Sequence, residues 1–334
     1  MSKEKVYVAL TIAEEDMARL REKFEVDAWD QEGIPLRETA LEKIAGCVGV
    51  ITSPATKVDA EFFDAAGPQL KVVSNTAVGV DNFDFMGAKN RNIRLGHTAD
   101  KLTKATAALA FTLMQAAARQ LEDGRATIDA NEWMGWSLLA NLDRDIDGKT
   151  LGVVGLGRIG REVARKAHRA YDMRILYFDR EPRPEAAISL GAERATDLVD
   201  LCDRADFVTV HVDLNPTTHH LIKASHFEAM GTEGVFVNTS RGLVVDEDAL
   251  YEALTARKIY SAGIDVFEDE PVRKGKKNER FMGLKNLIRT PHTASRTEES
   301  RLGMSRLAVD NLIAGVEGRP LPTDAFLAAP NDAV

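Results

Sequence analysis

Short β-branched apolar runs alternate with segments of helical periodicity along nearly the whole chain. Val6 to Leu10, Val48 to Ile51, Leu151 to Val154, Ile175 to Phe178, Phe207 to Val210 and Val235 to Val237 are apolar at successive positions, so both faces of each strand would be covered. The intervening segments place apolar residues at helical spacing. This alternation predicts an α/β fold built on doubly wound parallel sheets. The most apolar stretch, Ala105 to Ala118, includes Thr and Gln. It is too short and too polar to span a bilayer and reads as a buried helix. Gly96 to Lys104 and Pro291 to Arg296 read as joints between domains, the second just ahead of a final helical run from Glu298 to Gly315. A cleft between two α/β domains is the expected ligand site.

Composition narrows the classes. A chain of 334 residues with 44% hydrophobic content can bury two cores. The net charge of −9 is spread along the chain, which argues against nucleic acid as a partner, since phosphate contacts need clustered Lys and Arg. A few arginines in a pocket can still hold a small anion. Cys47 and Cys202 lie beside apolar runs and read as small buried hydrophobes. No disulfide framework or metal-ligand spacing is present, which points to a reducing, cytoplasmic setting. Met1 to Leu10 runs directly into a strand-like segment and has no signal-peptide apolar region. No membrane partner is expected.

The sharpest motif is Gly155-Leu156-Gly157-Arg158-Ile159-Gly160, set between the strand Leu151 to Val154 and a helix carrying Val163, Ala164 and Ala167. Gly155 permits a tight turn, Gly157 lets backbone approach a pyrophosphate, and Gly160 allows close helix–strand packing. The helix N-terminus offers N–H groups and a positive dipole end to the phosphates. Nineteen residues beyond Gly160, Asp179 ends the next strand, where a ribose-binding carboxylate belongs. A dinucleotide, NAD, is the expected cofactor, with NADP a weaker alternative because Arg180 and Arg183 follow Asp179.

Three later strand ends carry chemistry: Asn238-Thr239-Ser240-Arg241-Gly242, Gly263 to Pro271, and Thr290 to Ser295. Ligands bind outside the carboxyl ends of strands in such sheets, so these segments can share one crevice. They supply an Arg, a Glu and a His. With Val78-Gly79-Val80-Asp81-Asn82, Val244-Val245-Asp246, Asp265-Val266-Phe267, Glu270-Pro271 and Pro291-His292 in this order, the chain resembles the D-isomer-specific 2-hydroxyacid dehydrogenases. The Thr103 to Ala118 helix and the Trp133…Trp136 stretch look most like the glyoxylate and hydroxypyruvate reductases of that family.

The resemblance implies a Rossmann NAD-binding domain, residues 104–295, inserted into a flavodoxin-like substrate domain formed by 1–103 and 296–334. Arg241 would hold the substrate carboxylate and polarise its carbonyl. His292 would exchange the proton, oriented and favoured in its protonated form by Glu270. Val78 and Gly79 would bind the substrate carboxylate through backbone N–H groups. Cofactor contacts are expected from Thr106, Gly155, Gly157, Arg158, Ile159, Gly160, Asp179, Thr218, Thr239, Ser240, Asp265 and Ser295, and a homodimer is implied by Trp133 and Trp136. His97, His168, His219, His220 and His226 have no supporting constellation, and His219 and His220 read as surface residues.

The chain also departs from the family pattern. His97-Thr98-Ala99-Asp100 stands where a Pro-Gly turn is usual, Ala108 where an acid is, Asp213 where Pro is, and Thr293-Ala294 where Ile-Gly is. A basic loop runs from Arg273 to Lys277. The rival readings are a dinucleotide-sensing binding protein on the same scaffold and, within the superfamily, formate, phosphite or phosphoglycerate dehydrogenase. A formate enzyme would pair its His with Gln, so Glu270 argues against that branch.

Overall fold

The computed structural model describes residues 3–140 and 142–329. The chain divides into two compact units, residues 1–102 with 296–334, and residues 103–295.

The first unit carries five parallel strands, β1 (Lys5–Val8), β2 (Glu25–Ala28), β3 (Gly49–Thr52), β4 (Val72–Asn75) and β5 (Arg94–Gly96), in the order β2-β1-β3-β4-β5. This is the flavodoxin-like order. On one face, Tyr7, Val50, Val73 and Leu95 pack with Phe62 and Phe63. On the other, Val6, Val8, Ile51 and Val72 lie under Ala308, Val309 and Leu312 of the last helix, Glu298–Val316. Glycine sets that contact: a Cβ on Gly315 would lie 2.5 Å from the Val72 side chain. The first helix, Glu14–Lys23, is tied to the last through Asp16, which is buried and accepts from Ser305 Oγ at 2.7 Å, Arg306 Nε at 2.7 Å and Arg19 Nη1 at 3.0 Å. A buried carboxylate is tolerable only with such partners.

The second unit carries seven parallel strands: β6 (Thr150–Val154), β7 (Arg174–Phe178), β8 (Glu193–Arg194), β9 (Phe207–Val210), β10 (Val235–Asn238), β11 (Ser261–Ile264) and β12 (Leu287–Arg289). Their order is β12-β11-β10-β9-β6-β7-β8, so the chain reverses direction across the sheet between β6 and β9. That switch point opens a crevice at the carboxyl ends, the usual dinucleotide position. The Ala-rich segment forms the helix Thr103–Ala118, with Ala107, Ala110, Leu113, Met114, Ala117 and Ala118 in the core. It packs tightly on β11, where a Cβ on Gly263 would meet Leu113 Cβ at 2.9 Å, and Ser261 Oγ donates to the Ala117 carbonyl at 2.8 Å.

Between that helix and β6 the chain presents an arm: the helix Leu121–Asp129 has no buried residue, and Trp133, Met134, Trp136, Leu138 and Leu139 beyond it are all exposed. Both cysteines are free and buried. Among the described residues, no helix is long and apolar enough to cross a membrane.

Candidate active site

The glycine loop follows β6 and leads into the helix Arg158–Tyr171. Gly155 has φ 91°, and a Cβ there would lie 2.7 Å from the carbonyl oxygen of His211. At Gly160 a Cβ would lie 2.1 Å from the Gly155 carbonyl oxygen, so this position cannot carry a side chain without opening the turn. Gly157 differs, because a Cβ there would meet no protein atom within 4 Å. The fold itself does not require glycine at 157, and the missing side chain leaves the backbone there open to close approach. Arg158 is exposed at the helix start, and Ile159 packs partly into the core beneath. Beside the loop, burial pushes the His211 imidazole down to about 3.

Asp179 stands just past the carboxyl end of β7, next to the glycine loop. Its Oδ2 accepts from the Leu156 N–H at 3.0 Å, so the carboxylate braces the glycine loop as well as facing it. Arg183 folds back onto the same carboxylate, with Nε 3.1 Å from Oδ2 and Nη2 3.3 Å from Oδ1. Arg194 donates to the backbone carbonyls of Asp179 and Arg180 at 3.0 and 3.3 Å. The second strand end is therefore ringed by guanidinium groups, one of them from β8.

The loop after β10 carries Arg241. Asn238 Oδ1 accepts from the N–H and Oγ of Ser240, both at 3.0 Å, while its Nδ2 donates to the Arg241 carbonyl at 3.0 Å. The loop is a rigid hook. Gly242 then runs against the loop after β11: a Cβ there would lie 1.9 Å from the carbonyl carbon of Phe267 and 2.2 Å from the Glu268 nitrogen. Only glycine permits two backbones to meet so closely, and the contact brings Arg241 beside Glu270. Thr239, just past the end of β10, has its Oγ1 buried and without a hydrogen-bond partner. A buried orphan hydroxyl at the carboxyl end of a strand is what a bound polar group would satisfy.

Glu270 Oε1 accepts from the Phe267 N–H at 2.9 Å, and Oε2 accepts from His292 Nδ1 at 2.7 Å. Burial works against the Glu270 carboxylate, but the His292 hydrogen bond and charge, the Phe267 N–H and the Arg241 charge outweigh it and hold its pKa below the usual range. With Nδ1 engaged, Nε2 is the ring nitrogen left for a substrate.

His292 has φ 51°, a left-handed conformation that costs a non-glycine residue energy and marks a constrained position. Its N–H donates to the Asp265 carbonyl at 2.9 Å. The buried Asp265 carboxylate holds the rest of the loop, accepting from Thr290 Oγ1 at 2.6 Å, Thr293 N–H at 2.8 Å and Ala294 N–H at 2.9 Å. Asp265, expected on the cofactor amide, thus spends both oxygens on the segment that carries His292. Ala294 fits this loop without a left-handed backbone.

The remaining expected contacts are placed as follows. Thr106 is buried in the helix Thr103–Ala118. Thr218 is bound into its own turn, donating to the Asp213 carbonyl at 2.6 Å and accepting from the Asn215 N–H at 2.9 Å. Ser295 is half-buried at the end of the second unit. Val78 and Gly79 belong to the first unit, on the loop after β4.

Sequence reasoning missed the partners of four histidines, His97, His168, His220 and His226. His97 is buried, and its Nδ1 donates to the Val78 carbonyl at 3.1 Å, so it shapes the very loop expected to bind substrate. His226 is buried and its Nδ1 accepts from the Lys223 N–H at 2.9 Å; His168 Nδ1 donates to the Met173 carbonyl at 3.1 Å. His220 is no bland surface residue: its ring stacks on His219, and its Nε2 lies 2.9 Å from Glu268 Oε1. Two of the four cations of the basic loop pair within the unit, Lys276 with Asp269 and Lys277 with Asp248.

Comparison with known proteins identifies the family. Residues 111–294 match the family model described as D-isomer specific 2-hydroxyacid dehydrogenase, NAD binding domain. The chain is 41% identical over 325 residues to a glyoxylate reductase of Thermococcus gammatolerans, covering 96% of this chain and 95% of that one. It is 39% identical over 305 residues to the human glyoxylate reductase/hydroxypyruvate reductase, covering 91% of each. A crystal structure of an NADPH-dependent glyoxylate/hydroxypyruvate reductase from Sinorhizobium meliloti, in complex with NADP and malonate, superposes with a TM-score of 0.82 at 31% identity, covering 97% of each chain. The chain belongs to the D-isomer specific 2-hydroxyacid dehydrogenase family of NAD-binding oxidoreductases.

Proposed function

We propose that this enzyme reduces glyoxylate and hydroxypyruvate, with NADH as the preferred reductant and NADPH accepted more weakly. The observation that carries the reading is the 2.7 Å Glu270–His292 hydrogen bond in a loop wedged against Gly242, next to Arg241. A guanidinium matches a carboxylate fork and keeps its charge at any working pH. Arg241 is assigned to the substrate carboxylate and carbonyl, and Val78 and Gly79 to the same carboxylate.

The bound nicotinamide supplies the hydride. Residues Gly155, Gly157, Arg158, Ile159, Gly160, Asp179, Thr239 and Ser240 would hold the dinucleotide, and Thr106, Thr218 and Ser295 would complete its surroundings. In reduction, His292 gives the proton on Nε2 to the substrate carbonyl oxygen as that oxygen gains charge, while Glu270 stabilises the imidazolium through Nδ1. In oxidation His292 Nε2 takes the hydroxyl proton back. Arg241 stabilises the developing alkoxide in both directions. Asp265 keeps His292 in place rather than touching the reacting atoms.

The intact Arg–Glu–His set argues against a dinucleotide sensor without activity. Two free buried cysteines and no metal-ligand spacing support a reducing, cytoplasmic setting. The exposed apolar arm supports a homodimer. The test is a panel of glyoxylate, hydroxypyruvate, pyruvate, phosphite and 3-phosphoglycerate with each nicotinamide. Turnover of the first two above the rest supports the reading; dinucleotide binding with no turnover of any oxo acid overturns it.

A further inference from the structure

Glu268 sits two residues before Glu270 and is held by Glu247 at both its side chain and its backbone. Its Oε1 accepts from the Glu247 N–H at 3.2 Å, and its own N–H donates to Glu247 Oε1 at 2.7 Å. The two acids thus exchange a reciprocal pair of backbone-to-side-chain hydrogen bonds. His220 Nε2 lies 2.9 Å from the same Glu268 Oε1, but outside hydrogen-bonding geometry, so that this buried nitrogen has no hydrogen-bond partner. Glu247 is the first residue of the helix Glu247–Thr255 and is buried, an unusual place for an acid. Burial pushes its carboxyl pKa up, the facing Glu268 charge adds to that, and the Glu268 N–H, Arg280 and Lys277 oppose it.

The connectivity gives this cluster its meaning. Glu247 follows Arg241 by one short 3-10 turn, Gly242–Val244, and the helix cap Asp246. Glu268 precedes Glu270 in the loop after β11. His220 follows Thr218, and its N–H donates to the Leu243 carbonyl at 2.8 Å. The cluster therefore staples together the segments carrying Arg241, Glu270 and the Thr218 turn, directly behind the Gly242–Phe267 contact. A glycine wedge alone fixes how near two backbones come; it does not fix their rotation. The reciprocal bonds do.

We propose that Glu268, clasped by Glu247, is a positioning residue that sets the orientation of Glu270 relative to Arg241. The proposal rests on the roles given above to Glu270 and His292. Glu268 touches no reacting atom, and its effect passes through the Phe267–Glu270 turn to the His292 ring. Small displacements of a proton-transfer pair lower the rate of chemistry more than they weaken cofactor binding.

The full-length protein and its Glu268→Ala, Glu268→Gln and Glu270→Gln variants are compared by steady-state reduction of glyoxylate with NADH across pH, with circular dichroism for folding. Glu268→Ala is expected to lower kcat about 10-fold while changing the KM for NADH by less than about twofold. Its alkaline limb should move in the same direction as that of Glu270→Gln. Glu268→Gln, whose amide oxygen still accepts from the Glu247 N–H, should recover most of kcat. A folded Glu268→Ala with wild-type kcat and pH profile overturns the proposal, as does a lowered melting temperature with unchanged kcat. If Glu268→Ala does not fold, Glu247→Ala, which removes the acceptor from the other side, is judged by the same outcomes. A Glu270→Gln indistinguishable from wild type overturns the underlying assignment; an impaired Glu270→Gln beside an unimpaired Glu268→Ala overturns the clasp alone.

Discussion

His292 meets Glu270 through Nδ1, 2.7 Å from Oε2, while its own backbone is held in the left-handed region by the Asp265 carbonyl. The ring is therefore fixed from both ends, and Nε2 is the ring nitrogen left without this bond. Glu270→Gln would keep a hydrogen-bond partner but remove the negative charge that stabilises the imidazolium. Reduction should then fail at lower pH than in the wild type, read as an acid-ward shift of the alkaline limb of kcat/KM. Superimposable profiles would disprove the coupling. The lowered Glu270 pKa also has a sign for stability: the carboxylate contributes above its unfolded pKa, and the contribution is lost as pH falls through the lower folded value. Acid melts of the Gln variant should accordingly be flatter below the ordinary glutamate range.

Arg241→Ala should remove substrate binding and transition-state stabilisation together. The expected loss in kcat/KM is about 10³-fold, roughly 4 kcal/mol. His292→Ala should act mainly on kcat. Wild-type-like reduction of glyoxylate by the His292 variant would end the proposed mechanism.

Gly242→Ala tests the wedge. A Cβ placed 1.9 Å from the Phe267 carbonyl carbon has no flexible neighbour to push aside. Overpacking of this kind costs about 1–3 kcal/mol or more, and here the strain falls between Arg241 and Glu270. Activity should drop by more than the loss of folded protein explains, measured as kcat per folded molecule by active-site titration. Wild-type specific activity in this variant would show that the loops move independently.

The sequence made the glycine loop, Asp179 and the Arg–Glu–His segments legible because each needs a rare residue at a strand end. The edge strands β2 and β8 are hard to read, since Glu25–Ala28 and Glu193–Arg194 are polar and short, as edges tend to be. Hydrogen bonds between distant segments left no mark: nothing in the spacing of His97, His220 or Glu268 says that each is held by a partner far along the chain. Asp265 was visible as a strand-end acid, but the direction of its carboxylate toward the 290–294 loop was not.

Cofactor preference turns on Asp179 and Arg183. A 2′-phosphate beside Asp179 would face a like charge, costing about 4 kcal/mol per unit-charge pair at ~4 Å and an effective dielectric near 20, before screening. Arg183, now folded onto Asp179, is the side chain that could swing to that phosphate. NADH should be favoured over NADPH by about 10-fold in kcat/KM. Asp179→Ser should shrink the ratio by improving NADPH, and Arg183→Ala should widen it. A wild-type preference for NADPH would refute the assignment of Asp179.

The arm should seat a second copy of the chain. Trp136 is 84% and Met134 96% exposed, values that are costly for an isolated apolar segment in water. Light scattering should report a dimer, and Trp136→Asp with Leu139→Asp should yield monomer. A monomeric wild-type protein would remove this expectation.

The return of the last helix to the first sheet fixes an order of synthesis. Residues 103–295 are contiguous and can complete their fold on the ribosome as they emerge. The sheet made earlier cannot, because Val6, Val8, Ile51 and Val72 wait for Ala308, Val309 and Leu312, translated only after the whole second unit. Until then the nascent chain carries one bare apolar sheet face, a state that invites aggregation or chaperone capture. A stop codon just after Ser295 would therefore spare every residue of the second unit and still yield an insoluble product.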